Sequence, residues 1–195
     1  MAQIQAIGEN AVRSFFLSQL KFELESEEIM DDGSRIHLLV KINKDTGGAT
    51  FDFRASSDQL KGNTNAPRAV VSSAIMYCLR CLIKQNLPLN EGFMKPISIL
   101  TRQGSIVDPE LGSAVAAGNV TTSQRIVDTI FLAFQACAAS QGCMNNLSLG
   151  NQHYAYYETI GGGAGAGPGF AGEDGVHTHM TNTRATDPEV LEQNF

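Results

Sequence analysis

The chain has 195 residues, of which 43% are hydrophobic and 17% are charged, so it is typical of a globular domain with a sizeable core rather than a disordered segment. Its formal net charge is −6 and Lys and Arg are not clustered, which excludes nucleic acid or an anionic membrane surface as an expected partner. No apolar run reaches the roughly 18 residues of a membrane helix and no secretory leader is recognisable, so we expect a cytoplasmic protein.

The first predicted element is an amphipathic helix over residues 4–20, which Gly8 is expected to interrupt. Residues 21–54 then alternate between apolar and polar side chains, and short turns rich in Asp and Gly separate the runs. This period of two predicts an antiparallel meander with one buried and one solvated face. His37 falls on the solvated face, so we interpret it as a solvated strand residue rather than a ligand.

Two mostly apolar helices are predicted after the meander, over 66–86 and 121–140, with a short buried strand at 97–100 between them. Asn65 is expected to cap the first helix, and Thr121, which has a Gln three residues later, is expected to open the second with a capping box. Apolar residues surround most of the first helix, and the two helices need cover from the sheet, from a second copy of the chain or from sequence outside it. We expect a homo-oligomer.

Four cysteines are present: Cys78, Cys81, Cys137 and Cys143. Cys78 and Cys81 form a C-x-x-C pair in a segment that reads as helix interior, which is not the exposed helix start of a redox motif. The other two have a spacing that does not make a four-cysteine zinc site. We therefore expect reduced thiols packed in the core.

A glycine-rich stretch begins at Gly161, with six glycines within nine residues. Three interpretations of this stretch are open: a phosphate cradle, part of a metal site, or a flexible connector. Gly167, Gly169 and Gly172 match G-x-G-x-x-G by count, but Pro168 interrupts the match, no helix follows and no P-loop Lys is present. An ordered loop that lines a pocket is favoured over a linker, because a linker would contain more Ser or charged residues.

Two histidines, His177 and His179, follow the glycines at a spacing of two. In a strand they would face the same side, as pocket-wall residues, as general acid or base, or as ligands of a divalent metal. The carboxylates nearest in sequence that would complete such a site are Glu158, Asp174, Asp187 and Glu189.

Asn182 and Arg184 fall on the opposite face of the same extended segment, so they join the histidines only through a turn or bulge. Arg184 then either holds a substrate carboxylate in a bidentate fork or pairs with Asp187.

With a β-like run at 153–160, the predicted fold class is α+β: an antiparallel β-meander with two long apolar helices and a glycine-loop β segment. We expect a single domain, 1–195, made of an N-terminal helix, the meander, a helical core and a glycine-loop and H-x-H segment (1–20, 21–54, 66–140 and 153–195).

Six stretches, in order along the chain, resemble the hydantoinase B/5-oxoprolinase family. They are FDFRASSDQLKGNTNAP (51–67), LPLNEGFMKPI (87–97), AAGNVTTSQRIVD (116–128), GCMNNLSLG (142–150), YYETIGGGAGAGPGF (156–170) and GVHTHMTNTRATDPEVLE (175–192). The resemblance implies an ATP-dependent opening of a small cyclic amide such as 5-oxoproline or a hydantoin. It also implies that ATP is used by a partner subunit or domain of the hydantoinase A type. Related members are subunits of ketone carboxylases.

The chain departs from the family pattern in two respects. Family members are longer and carry amino-terminal blocks of the forms N-D-P-x-x-G-G-x-H-x-x-D and H-x-D-x-G-G, which are associated with a metal in carboxylase relatives and are absent here. Arg54, Ala55 and Ser56 stand where the family has a Thr-Gly-Thr-like run. We therefore expect the chain to be a carboxyl-side part of a longer module, and a fragment inactive by itself remains an alternative to an amidase or carboxylase component.

Site roles follow from the residues and the resemblance together. We predict His177, His179 and Glu158 as catalytic residues, with the two histidines as candidate ligands if a divalent metal is bound. The predicted substrate-binding residues are Gly161, Gly162, Gly163, Gly165, Asn182 and Arg184. The backbone N–H groups of the glycines are expected to stabilise a developing oxyanion.

Overall fold

The computed structural model describes residues 2–137, 139–179 and 188–194. Its helices are α1 (Ala2–Leu17), α2 (Arg68–Leu82), α3 (Thr122–Phe134) and α4 (Pro188–Asn194), with 3-10 turns at Glu91–Met94 and Ala116–Gly118. Its strands are β1 (Glu23–Ile29), β2 (Arg35–Ile42), β3 (Ala49–Asp52), β4 (Ile97–Leu100), β5 (Asn146–Gly150) and β6 (Ala155–Thr159). This confirms the α+β class. Within the described residues, no helix is both long and apolar enough to cross a membrane.

The larger sheet has the strand order β1-β2-β3-β4. The first three strands pair antiparallel, as the alternation predicts, and β4 joins β3 in parallel. The parallel pairing requires a long crossover, and α2 lies in the connection. Strands β5 and β6 form a separate antiparallel ribbon. The β6 strand confirms the run predicted at 153–160, whereas β5 was not predicted, although Leu147 and Leu149 alternate with polar residues in it.

The core lies between one face of the sheet and the helices. The inward side chains of β2 and β3 are fully buried, among them Leu38, Val40 and Phe51. Helix α3 packs across β1 and β2, and α2 packs against α3. Ser26 of β1 donates a 2.7 Å hydrogen bond to the Thr129 carbonyl oxygen of α3, which fixes the helix on the sheet. The sheet therefore covers α3, and α3 in turn covers one side of α2.

The opposite face of the sheet is polar, as predicted. His37 Nε2 lies 2.8 Å from the Glu25 carboxylate on the neighbouring strand. The His37 side chain is 20% exposed, so it is half-buried rather than solvated, and the cross-strand pair is a structural contact.

Three predicted helix signals are wrong. Helix α1 runs through Gly8, which is buried because its missing side chain lets the Phe93 ring approach: a Cβ there would lie 3.0 Å from the ring. The Thr121 side chain makes no capping hydrogen bond. Helix α3 ends at Phe134 rather than near residue 140, because Gln135 turns into the left-handed region at φ 51°.

The prediction of four core cysteines is also wrong. Cys78 is buried, but Cys81 and Cys137 are exposed and Cys143 is intermediate. Cys81 lies in the last turn of α2 between the buried residues Leu79 and Ile83, so it faces away from the core. Cys137 lies beyond the end of α3, so the early end of that helix places its thiol at the surface.

Asn65 is fully buried, but it does not cap α2, whose N-cap is Pro67. Its side-chain oxygen accepts from the Leu60 N–H at 2.7 Å. Its amide nitrogen donates to the carbonyl oxygens of Leu60, Gly62 and Ala114 at 2.9, 3.1 and 2.9 Å. Asn65 thus ties the loop before α2 to the segment before α3.

We predict that Asn65→Ala lowers the free energy of unfolding by about 2–4 kcal/mol, because it leaves buried backbone groups without partners. Urea unfolding followed by circular dichroism measures the change. The matched control is Asn63→Ala, since Asn63 is exposed two residues earlier in the same loop. Equal unfolding midpoints for the two variants would contradict the role given to Asn65.

Candidate functional site

A cavity of about 380 Å³ lies between the end of α2, the segment after α3 and the glycine loop. Its wall includes Gly165, His177 and His179, together with aromatic side chains such as Tyr77 and Phe131. The structure therefore brings the glycine loop and both predicted histidines to one concave surface.

The glycine loop is a hairpin that pairs with the residues following it. The Gly163 N–H donates to the Val176 carbonyl oxygen at 3.0 Å, and Ala164 and Glu173 exchange backbone hydrogen bonds of 2.8 and 3.1 Å. Gly167 and Phe170 close the tip in the same manner. The amide of Gly163 is therefore occupied within the hairpin, whereas Gly165 lines the cavity.

One glycine is required by close approach of the backbone. A Cβ on Gly161 would lie 2.4 Å from the Gly175 carbonyl oxygen and 3.0 Å from His177 Cδ2. A Cβ on Gly162 would lie 1.8 Å from Gln141 Oε1, but that atom is the end of a flexible side chain that can move. A side chain at Gly161 would push the hairpin away from the segment that carries His177, so this glycine keeps the two together.

His179 is held by a buried carboxylate of α3. His179 Nε2 lies 2.7 Å from Asp128 Oδ1, and the side chains are 7% and 1% exposed. The Asp128 carboxylate also accepts from the Ser140 N–H at 2.9 Å, from the Ser140 hydroxyl at 2.8 Å and from Arg125 Nη1 at 3.2 Å. A buried carboxylate with this many donors remains ionised at little cost.

The pKa of Asp128 is set by opposing effects. Burial raises the pKa of Asp128, but the hydrogen bonds from His179 and Ser140 outweigh it and leave the pKa below its ordinary value. Because the ionised carboxylate only accepts, the neutral imidazole of His179 carries its proton on Nε2. Nδ1 is then the basic nitrogen, and among the described residues no hydrogen bond to it is found.

The ring of His179 is enclosed by aromatic side chains. Its centroid lies 6.0 Å from that of Tyr77 and 5.6 Å from that of Phe131. Burial and the neighbouring Cys81 raise the pKa of the Tyr77 hydroxyl, which therefore stays protonated. The aromatic walls fix the orientation of the imidazole and suit a small, partly apolar ligand.

The histidines meet for a different reason than the strand pattern predicts. Residues 176–179 form no strand, and His179 has a left-handed backbone with φ 63°. The positive φ turns the chain at His179 toward Asp128, and both rings still line the cavity. The shared location therefore depends on a local bend and not on alternation.

One predicted catalytic residue, Glu158, lies away from the cavity. Glu158, in β6, is buried and accepts from the Tyr156 hydroxyl at 2.8 Å, and it is not part of the cavity wall. The carboxylate that contacts a histidine of the cavity is Asp128 instead. Asn182 and Arg184 lie outside the described residues, and their roles stay predictions.

Two residues of the site, Asp128 and Thr178, were not predicted from the sequence. Asp128 is the only acidic residue in α3, and its place beside Val127 on the apolar side was a usable signal. Thr178 lines the cavity, and its buried Oγ1 has no hydrogen-bond partner among the described residues. No sequence pattern indicates that hydroxyl. A buried unsatisfied hydroxyl beside a cavity is one that a ligand is expected to satisfy.

The described residues contain no group of three His, Cys, Asp or Glu side chains arranged to hold a metal ion. His179 uses Nε2 on Asp128, which leaves one nitrogen for any further ligand. We therefore derive no chemical step through a metal, and the metal role of His177 and His179 stays a prediction.

A known protein family and individual known proteins were found that are similar to most or all of the chain. The sequence profile of the family described as hydantoinase B/oxoprolinase matches residues 1–195. 5-Oxoprolinase 1 of Arabidopsis thaliana is 55% identical over 88% of the chain and 14% of its own length. The first curated relatives are much longer proteins, of whose length the chain spans 14 to 16%.

Two solved structures have a similar fold. The ATP-dependent caprolactamase from Pseudomonas jessenii has a TM-score of 0.72 at 19% identity, over 88% of this chain and 33% of that one. Acetone carboxylase, in a nucleotide-free structure, has a TM-score of 0.68 at 13% identity, over 89% of this chain and 29% of that one. At these identities the likeness concerns the fold alone.

We predict that Asp128→Asn lowers the free energy of unfolding by about 2–4 kcal/mol at pH 7, since an amide cannot accept all the donors that converge there. The pKa of Asp128 is lower in the folded chain, so its contribution is complete above the unfolded value of about 3.9 and is lost as the pH falls through the folded pKa. The difference between parent and variant should therefore shrink below about pH 4.

Urea unfolding between pH 2.5 and pH 7 measures this dependence. Asp45→Asn, at an exposed position, is the control and should track the parent. A constant difference between parent and Asp128→Asn across the pH range would contradict the ionised state of Asp128.

Proposed function

The chain belongs to the hydantoinase B/oxoprolinase family, and from this premise we propose that it is a component of an ATP-dependent cyclic amidase. The proposed reaction is the hydrolytic opening of a small lactam or hydantoin, with 5-oxoproline as the first candidate. The observation that carries the proposal is the His179–Asp128 pair at a cavity of ligand size. The relative named for 5-oxoproline and the structural neighbour named for caprolactam support the proposed substrate class.

His179 is proposed as the general base. Asp128 holds the proton on Nε2 and the ring in one orientation, so Nδ1 is the nitrogen that takes a proton from an attacking water. The imidazolium that forms is stabilised by the buried carboxylate at 2.7 Å. Asp128 is thus a positioning residue, and His179 is the residue that acts on the reacting water.

The opposite side of the substrate is proposed to contact His177, Thr178 and the glycine hairpin. His177 lies against Gly161, and Thr178 offers an unsatisfied hydroxyl to the cavity. A lactam ring presents a carbonyl oxygen, which can accept a hydrogen bond from the Thr178 hydroxyl, and an N–H, which can donate one to it. Because Gly163 uses its N–H within the hairpin, the amide of Gly165 is the better candidate for an oxyanion donor.

ATP is proposed to be used by a hydantoinase A type subunit or domain. The glycine hairpin of this chain has no P-loop Lys and opens no helix, and its backbone folds on itself instead of around a phosphate. In this proposal the two proteins carry out different steps. The partner uses ATP to activate the cyclic amide, and this chain binds the cyclic amide and supplies the general base.

The first test measures ring opening. The 195-residue chain is combined with a hydantoinase A type subunit, ATP and 5-oxoproline, and both ADP and the opened product are quantified. We expect His179→Ala to lower kcat by about 10²–10⁴-fold, the usual contribution of a general base. His153→Ala, in the exposed turn between β5 and β6, is the matched control and should keep the parent rate.

Equal turnover in the parent and His179→Ala would overturn the role of His179. Product from a ketone and bicarbonate, with none from 5-oxoproline, would favour the carboxylase alternative, which at present rests on fold likeness. Metal analysis of His177→Ala and His179→Ala distinguishes metal ligands from wall residues, since only ligands alter the bound metal.

A second prediction concerns Thr178. Thr178→Val keeps the shape of the side chain and removes the hydroxyl, so we expect the Kd for 5-oxoproline to rise about tenfold, as for one lost hydrogen bond. The free energy of unfolding should not fall, because the hydroxyl has no partner among the described residues. Calorimetric titration and urea unfolding measure the two quantities. Reduced stability at unchanged affinity would assign the hydroxyl to the fold instead of the ligand.

A further inference from the structure

Two thiols share the cavity wall with the histidines. Cys81 and Cys137 both line the cavity, and both are exposed. Cys81 belongs to the last turn of α2, and Cys137 lies three residues beyond the end of α3. The two helices pack against each other, so their ends bring the thiols to one region of the surface.

The surroundings of each thiol are set by the cavity wall. Tyr77, one helical turn before Cys81 in α2, lines the cavity beside it. Cys137 lines the same cavity from the segment after α3. Cys137 is in a segment without regular secondary structure, so its backbone can adjust without loss of helix hydrogen bonds. Such freedom favours disulfide closure, which has narrow geometric limits.

We propose that Cys81 and Cys137 form a redox-modification site in which a hydroperoxide joins the two thiols as a disulfide across the cavity. In the first step the peroxide O–O bond breaks and an S–O bond forms on Cys81, giving a sulfenic acid and an alcohol, or water from hydrogen peroxide. In the second step the Cys137 sulfur attacks the Cys81 sulfur, the S–S bond forms and water leaves with the Cys137 proton. Two thiols are oxidised by two electrons and one peroxide is reduced.

The order of the steps follows from the environments. Burial, the nearby Cys81 and Asp128 raise the pKa of the Cys137 thiol, so Cys137 stays protonated near neutral pH. We assign the first oxidation to Cys81, which is exposed at the cavity, and the resolving step to Cys137, whose irregular segment can move toward it. A transient bond of this kind is the regulatory type found in reducing compartments.

The bond would narrow the space beside His179, since both thiols and both histidines line the same cavity. This consequence depends on the cavity alone and not on which reaction occurs there. Oxidation would then exclude a ligand, and reduction would restore access.

The test uses the 195-residue chain with hydrogen peroxide, followed by intact-mass measurement and peptide mapping. We expect a mass loss of about 2 Da, a Cys81–Cys137 linked peptide, and recovery with a dithiol reductant. The histidine ring C–H signals of His177 and His179, followed by NMR, should shift on oxidation. Neither readout requires turnover, so the result is independent of the amidase proposal.

Cys81→Ser and Cys137→Ser should each abolish the linked peptide and the NMR shift. Cys143→Ser is the matched control, because Cys143 is not part of this cavity wall, and it should keep both. Circular dichroism confirms that the serine variants fold. A Cys78–Cys81 link, a link between two chains, or stable oxidation of Cys81 with Cys137 still free would overturn the proposal.

Discussion

The buried contact between Asp128 and His179 is the interaction on which the site depends. A carboxylate that is 1% exposed in the side chain is costly unless donors surround it, and here they come from α3 itself, from Ser140 and from the histidine. Because His179 is one of those donors, the segment after the glycine hairpin is drawn onto the helical core. The same hydrogen bond selects the imidazole tautomer, so one contact positions the ring and determines its chemistry.

That contact is in turn connected to the sheet. Arg125 pairs with Asp128 on one side and with Glu28 of β1 on the other. Ser26, on the same strand, also binds α3. The strand, the helix and the hairpin are therefore linked through polar groups that are mostly buried, and such networks specify one arrangement more strongly than apolar packing does. A change in the position of α3 on the sheet would move His179 as well.

The glycine hairpin shows why a glycine-rich sequence is compatible with an ordered wall. Its backbone pairs with residues 173–176, and Gly161 and Gly162 lie where a Cβ would meet a neighbour. The stretch therefore acts through close packing of main chain against His177 and Gln141. This explains why the nucleotide fingerprint matches by count but lacks its structural context.

The sequence by itself determined the α+β class, the meander, the strand at 97–100, the presence and starts of both long helices and the family, because periodicity and ordered motifs are local properties of the chain. It also indicated His177 and His179 as pocket residues. Only the tertiary structure decided that Asp128, 51 residues before His179, is its partner, that Glu158 lies outside the cavity wall and that Cys81 and Cys137 are exposed. These facts depend on where α3 ends, on the left-handed turn at His179 and on how the helices pack. Contacts between distant segments leave no periodic trace in the sequence.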